Sequence, residues 1–297
     1  MKKIQGLLLI LIFTFATLLP FNLPTQGGKN IQIAMAAESY SEWNANTIYN
    51  TGNIVSYGGK LWIAQWWTLG QTPGTTGQWG VWKVYDGGTT NPTGDKLVAL
   101  TFDDGPSNVT ALVLDKLQKH NVPASFFLIG SNITDETKSI LERELKQGCE
   151  INNHSWSHSY MNEMSGSNIK DEIQKTSDRI FNMVGVRPKF FRPPYIAVNN
   201  TMYENIDMPF ICGINCTDWD SSVSAQSREK TILSSAKDGD IILLHDLYGN
   251  TQTVDALDGI IKGLQDKGFK FVTVSDLFKQ KGVNPNVEYK IWTNVNK

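Results

Sequence analysis

The sequence predicts an α/β chain in which a parallel sheet closes into a barrel, preceded by a small all-β module. Three observations carry this reading. After residue 95, seven apolar strand-like runs recur with helical periodicity between most of them, and strands joined by helical crossovers pair in parallel. Six of the nine tryptophans, Trp43, Trp62, Trp66, Trp67, Trp79 and Trp82, crowd into one Gly- and Thr-rich stretch. Between the two parts lies DGGTTNPTGD, residues 86–95, with no apolar periodicity, the composition of a linker.

The chain opens on Lys2 and Lys3, followed by the apolar run LLLILIFTFATLLP at 7–20 and by Ala34-Met35-Ala36. A basic start, a short apolar run and a small-residue cleavage site make residues 1–36 a secretory signal peptide. The run is shorter than the roughly 18 apolar residues of a membrane span, so export with cleavage is expected, and no membrane contact afterwards. The mature protein is expected outside the cell, free or associated with the wall. Residues 38–85 make the aromatic module, with NIVSYGG and KLWIAQWW as strands about a Gly-Gly turn. So small a module needs some rings for its core. The surplus suggests a flat stacking surface, which suits sugars because their axial C–H faces are apolar.

The strand runs after the linker are KLVALTF (96–102), PASFFLIG (123–130), CEINN (149–153), KFFR (189–192), PFICGIN (209–215), DIILLH (240–245) and KFVTV (270–274). TDETKSILERELKQG and SNIKDEIQKTSDRIFNMVG are two of the helical stretches between them. The second domain is expected to span 96–283, and 284–297 reads as a polar tail with no element assigned.

The formal net charge is −2, and losing the three lysines of residues 1–36 makes it −5. A mildly acidic chain has no electrostatic case for binding nucleic acid, and there is no basic cluster for anionic lipid. The three cysteines, Cys149, Cys212 and Cys216, are odd in number, which excludes a fully paired framework. Cys212 and Cys216 sit in an apolar run and read as small buried hydrophobes; a disulfide between them would distort such a strand.

The chemistry concentrates at strand ends, where parallel α/β barrels place it. Asp103 and Asp104 follow KLVALTF, His154 and His158 follow CEINN, and His245 ends DIILLH. Adjacent carboxylates repel unless something cationic sits beside them. The spacing of the two histidines predicts one helical turn carrying both rings toward one ion. An Asp-His-His set with a spare carboxylate and a spare imidazole is what a metal hydrolase needs: ligands, a base and an acid. His120 ends a helical pattern and reads as a surface residue.

TFDDGPS, HSWSH, Arg192-Pro193-Pro194-Tyr195, Asp218-Trp219 and LLH occur in that order. This order resembles the polysaccharide deacetylases with a NodB-type domain, carbohydrate esterase family 4, over roughly residues 95–280. The resemblance implies a distorted (β/α)7 barrel, with Asp104, His154 and His158 as ligands of one divalent metal ion and Asp103 as the base. Those donors suit zinc, and cobalt, nickel or manganese also fit them. It also implies that the backbone N–H of Tyr195 lies beside the developing oxyanion and that His245 protonates the leaving amine. Arg192 reads as the cationic partner of Asp103, and Asp218 as the carboxylate that orients His245 and keeps it protonated. Trp219 and Leu243, with Pro193 and Tyr195, line the substrate pocket. Two positions depart from the family pattern: Asn215 stands where an Asp is frequent, and Ile196 where a Gly is usual.

Residues 42–79, with their W-x(5)-Y and W-x-A-x-W-W spacings, resemble the chitin- and cellulose-binding modules of families 5 and 12. That resemblance makes Trp43, Trp66 and Trp67 the sugar-stacking residues, with Trp62 and Trp82 as core. Together these features point to a monomeric, secreted, metal-dependent enzyme. It would remove N-acetyl groups from a β-1,4-linked N-acetylglucosamine polymer, chitin or its oligomers first. Peptidoglycan N-acetylglucosamine and acetylated xylan are alternative substrates, because the motifs contact only the acetyl group they share. A chitin-binding protein without catalysis is the reading from another class; the intact set of buried charges argues against it.

Overall fold

The computed structural model describes residues 40–50, 53–64, 67–75, 80–85 and 96–296. The signal-peptide and linker assignments, and Trp66 and Trp79, lie outside the described residues. Within them, no helix is long and apolar enough to cross a membrane.

In the N-terminal module, β2 (Ile54–Tyr57), β3 (Lys60–Ala64) and β5 (Trp82–Tyr85) form an antiparallel sheet, and β1 (Ile48–Tyr49) pairs with β4 (Thr68–Leu69). Gly58 and Gly59 connect β2 to β3 with φ of 59° and 72°. Two successive positive φ values suit the right-handed twist of a tight hairpin, and glycine adopts them without strain. Tyr49, Val55, Leu61, Ala64, Val81 and Trp82 are buried. The Tyr49 and Trp82 rings meet edge to face with centroids 5.2 Å apart.

The second domain is a parallel ring of strands. Its continuous part comprises β6 (Lys96–Asp103), β7 (Ser125–Leu128), β8 (Glu150–Asn153), β10 (Asp240–His245) and β11 (Phe269–Val272), paired in the order β10-β6-β7-β8 with β11 on β6. β9 (Phe210–Ile211) is the short strand between. Single parallel bridges, Asn153 to Phe191, Phe191 to Phe210 and Ile214 to Ile242, close the circle. KFFR and PFICGIN therefore survive as a one-residue bridge and a two-residue strand. Pro193 and Pro194 end the first and Pro209 precedes the second, and proline donates nothing to a ladder. This is the distorted barrel that the sequence predicts.

Alternation along β6 separates two cores. Leu97 and Ala99 join Phe127, Phe190, Ile211 and Ile241 in one cluster, whereas Val98, Leu100 and Phe102 pack in another with Leu114, Leu257 and Ile261 of the helices. The helices are α1 (Thr110–His120), α2 (Lys138–Lys146), α3 (Gly166–Val184), α4 (Asn200–Asn205), α5 (Ala225–Ser235), α6 (Thr251–Asp266) and α7 (Val274–Lys281). Serine or threonine caps start three of them: Ser165, Ser224 and Thr273 each accept a backbone N–H of the first turn.

The tail corrects one expectation. Residues 284–296 are not appended to the barrel but complete it. β12 (Ile291–Trp292) pairs in parallel with β9, and Asn294 bridges Asp240. Trp292 and Val295 are buried in the same cluster as Leu97 and Phe278. Backbone groups just past β9 and at the start of β10 need partners, and the tail supplies them: Cys212 N–H donates to Trp292 O at 2.7 Å and Ile241 N–H to Thr293 O at 3.0 Å.

Candidate active site

The candidate catalytic side chains gather at the C-terminal ends of β6, β8 and β10 and on the loops that follow. Asp103 is the last residue of β6 and pairs in register with His245, the last of β10. Asp103 is 2 % exposed and Arg192 is fully buried. Arg192 Nη1 donates to Asp103 Oδ1 at 2.6 Å and to Thr101 Oγ1 at 2.8 Å, Nη2 donates to Cys212 O at 2.7 Å, and the guanidinium lies 4.1 Å from the Phe127 ring centre. A buried guanidinium needs such pairing and hydrogen bonding to offset its desolvation.

Asp104 turns outward with φ of 75°. A Cβ at the next residue, Gly105, would run into the Asp246 carboxylate, so only glycine lets the loop pack there. Asp104 Oδ1 lies 3.3 Å from both His154 Nε2 and His158 Nε2. The ligand-capable atoms of these three residues fall within 4.8 Å of one another. Asp104 Oδ1 is buried without a hydrogen-bond partner, and a buried acceptor facing two imidazole nitrogens is a donor set that a divalent cation satisfies. Burial pushes the Asp104 carboxyl up, but the neighbouring imidazoles, His154 first and then His245 and His158, outweigh it and hold it at about 2. His154 Nδ1 bonds Arg192 O at 2.7 Å, which leaves Nε2 toward Asp104. Burial lowers the His154 pKa, yet Asp103 and Asp104 raise it overall; burial and then the His154 charge lower that of His158.

The two histidines do not ride on a helical turn as their spacing predicts. Residues 154–160 form an irregular loop with positive φ at Ser155 (68°) and His158 (55°). The loop is tied instead by its own side chains and by α3. Ser155 N–H donates to Asn153 Oδ1 at 2.8 Å and His158 N–H to Ser155 Oγ at 3.0 Å. Glu172 of α3 accepts from the N–H groups of Trp156 and Ser157 at 2.9 and 2.8 Å. Among the described residues, six of the eight non-glycine positive φ values, at Asp104, Ser155, His158, Tyr195, Ile196 and Thr217, belong to the loops around this site. Such strain persists where the surroundings over-determine the backbone, as functional sites do.

On the opposite side, His245 Nδ1 bonds Asp218 Oδ1 and the His245 N–H donates to Asp218 Oδ2, both at 2.8 Å. Thr253 Oγ1 donates to the same carboxylate at 2.8 Å. Burial lowers the His245 pKa, but the Asp218 hydrogen bond and charge, then Asp103 and Asp104, carry it up to about 9. Trp219, 52 % exposed, lies edge-on to His245 with centroids 5.6 Å apart, and Leu243 is buried. Tyr195 is exposed, its ring 4.7 Å from that of His158 and stacked on Tyr160 at 4.1 Å. Pro193 starts the turn that holds Tyr195. His120 sits away on α1, bonded to Asp258 of α6. All three cysteines are free thiols.

In the module, Trp67 is 59 % exposed. Trp43 is half-buried, edge to face with Tyr57 at 5.3 Å and packed on the core beside Trp62. Trp82 is buried.

Sequence reading missed the supports: Thr101, Glu172, Thr253, Asp246 and Asn250, whose Nδ2 donates to His245 O at 2.9 Å. Only Asp246, beside His245, carried a local signal, an extra carboxylate next to a candidate acid. It is fully buried, accepts from Thr110 Oγ1, and is raised to about 7 by burial first and by the charges of Asp104 and Asp103.

The family model for polysaccharide deacetylase matches residues 90–208, and that for carbohydrate-binding module family 5/12 matches residues 42–89. The chain is 60 % identical over 206 residues to a bifunctional xylanase/deacetylase of Pseudobutyrivibrio xylanivorans, covering 69 % of this chain and 34 % of that protein. It is 38 % identical over 189 residues to a peptidoglycan-N-acetylglucosamine deacetylase of Listeria monocytogenes, covering 63 % of this chain and 40 % of that one. The chain thus spans about a third to two-fifths of the length of these curated relatives. The solved family 4 acetyl xylan esterase from Clostridium thermocellum, in complex with a cobalt ion, superposes with a TM-score of 0.65 at 44 % identity, covering 67 % of this chain and 99 % of that one. With its barrel, its Asp-His-His cluster and these relatives, the chain belongs to the polysaccharide deacetylases of carbohydrate esterase family 4 and carries a family 5/12 carbohydrate-binding module ahead of that domain.

Proposed function

We propose that this chain is an exported hydrolase that removes acetyl groups from a β-1,4-linked polysaccharide, with acetylated xylan as its substrate. The observation that carries the reaction is the division of labour around Asp104. One side holds a carboxylate on a buried guanidinium, Asp103 on Arg192; the other holds an imidazole on a buried carboxylate, His245 on Asp218. The choice of xylan rests on the 60 % identical xylanase/deacetylase and the acetyl xylan esterase neighbour. The 5/12 module and the peptidoglycan deacetylase relative support the second reading, an N-acetylglucosamine polymer such as chitin or peptidoglycan.

Asp104, His154 and His158 would hold a divalent ion, zinc by the chemistry of the donors. Bound there, it supplies Lewis-acid polarisation of the acetyl carbonyl and a lowered water pKa. Asp103 accepts the proton of the attacking water, and Arg192 keeps its carboxylate aimed. His245 is bound to Asp218 through Nδ1, so Nε2 is the atom that gives its proton to the departing oxygen or nitrogen. Leu243, Trp219 and Tyr195 border the space that the acetyl group and its sugar occupy.

Acetate release from acetylated xylan, chitin oligomers and peptidoglycan, measured side by side, tests this. Release should be fastest on xylan, cease in chelator and return with zinc or cobalt. Fastest release from an N-acetylglucosamine polymer would reassign the substrate. Undiminished release from verified metal-free protein would sink the mechanism.

A further inference from the structure

The loop between the two histidine ligands has a feature that the reaction does not itself require. Its chain bends at Trp156 and Ser157, between left-handed backbone at Ser155 (φ 68°) and His158 (φ 55°). In that conformation the N–H groups of Trp156 and Ser157 face away from the loop. One side chain takes both. Glu172 Oε2 accepts from Trp156 N–H at 2.9 Å and from Ser157 N–H at 2.8 Å, while Oε1 accepts from Ser157 Oγ at 3.0 Å. Two further ties run from the same helix. Asn153 Nδ2 donates to Ile173 O at 2.9 Å and to Ser177 Oγ at 3.0 Å, and Asn153 Oδ1 accepts Ser155 N–H. The loop is thus clamped at its root by Asn153 and at its tip by Glu172, both anchored on α3.

We propose that Glu172 is a positioning residue that sets the separation of His154 and His158 and with it the affinity of the site for its divalent ion. Both imidazoles present Nε2 to the same Asp104 oxygen at 3.3 Å. Only a loop of fixed shape keeps two side chains four residues apart at equal distance from one acceptor without a helix to space them. A carboxylate accepting two backbone N–H groups makes charge-assisted bonds, the stronger kind. Without it those N–H groups lose their acceptor, and the left-handed residues can relax toward ordinary backbone. The rings then splay. Partners one shell behind metal ligands change affinity by about 10–100-fold when removed.

The inference rests on the metal-ligand reading of Asp104, His154 and His158, and the test separates the two. Zinc affinity of the metal-stripped full chain is measured by competition with a chromophoric chelator. The visible absorption of the cobalt-loaded protein and the thermal midpoint of the metal-free protein are recorded alongside. In Glu172→Ala, zinc affinity should fall by about 10–100-fold with a changed cobalt spectrum. Glu172→Gln, which keeps one acceptor oxygen, should fall between. Asp171→Ala, which removes only the exposed pair with Lys175, should match the wild type. Unchanged zinc affinity and cobalt spectrum in Glu172→Ala, with or without a lower thermal midpoint, would overturn the proposal. If that variant does not fold, wild-type affinity in Glu172→Gln overturns it equally. A wild-type chain that binds no divalent ion would instead remove the metal reading on which it stands.

Discussion

Asp218 meets His245 twice, through the ring Nδ1 and through the backbone N–H, and Thr253 fixes its second oxygen. A carboxylate so held does two things: it selects the tautomer and it raises the proton affinity of the ring. Burial alone would lower the His245 pKa, but Asp218, with Asp103 and Asp104, outweighs desolvation and raises it to about 9. In the proposed mechanism the imidazolium is the acid, present below that pH and lost above it. The kcat profile should therefore fall on its alkaline side as pH rises through about 9. In Asp218→Asn that limb should move down toward the ordinary imidazole value of about 6.5; a limb that stays in place would exclude His245 as the titrating group. The acid matters most when the leaving atom is nitrogen, because an amide anion leaves far less readily than an alkoxide. His245→Ala should cost roughly 10²–10⁴-fold on N-acetyl substrates and clearly less on O-acetyl xylan. Rates on matched amide and ester substrates check this, and equal losses would count against the role.

β6 does more for this site than any other strand. Its even and odd residues feed two separate clusters, and its end delivers buried Asp103 with half-buried Asp104 next in the chain. The neighbouring positions of the ring are less regular. β9 is two residues long, and its missing ladder is made good by β12 from the end of the chain. Trp292 anchors that repair: it is 4 % exposed, edge to face with Phe278 at 5.0 Å, and donates Nε1–H to Pro285 O at 3.0 Å. Trp292→Ala should destabilise the domain by about 3–5 kcal/mol, the usual cost of truncating a buried large aromatic. Denaturant unfolding followed to its midpoint tests this. Val287→Ala, at an exposed residue of the same segment, should lie close to the wild type.

Two modules of different chemistry share the chain. The barrel carries the candidate reacting groups, whereas the N-terminal module presents exposed Trp67, with Ile48 and Leu69 also exposed on the β1–β4 pair. A ring exposed to this extent on a small module is available to stack on a sugar. Tethering a binding module raises the local concentration of polymer at the barrel and adds nothing to the chemical step. A chain starting at residue 96 should therefore keep its rate on short soluble acetylated oligomers and lose it on insoluble polysaccharide, less so as substrate approaches saturation. Trp67→Ala should reproduce much of that loss in a pull-down with insoluble polysaccharide while the module stays folded. Equal loss on soluble and insoluble substrates would return Trp67 to a packing role.

Strand and helix alternation, the Gly-Gly hairpin and the order of Asp103, Asp104, His154, His158, Arg192, Asp218 and His245 were legible in the chain, because each is a matter of local pattern or of residue chemistry. The way in which the predicted ring closes was not. KFFR and PFICGIN look like full strands by composition, yet flanking prolines cut them short. The tail looked polar because a lone Trp292 followed by Val295 shows no periodicity, and its burial depends on a gap left by strands far away in sequence. The spacing of His154 and His158 fits a helical turn as well as a strained loop, and the ties made by Asn153, by Ser155 and by Glu172, brought in on α3, hold the loop. Residues that react announce themselves by type; residues that hold them are ordinary Glu, Thr and Asn, and become recognisable only when the folded chain sets them within hydrogen-bond reach.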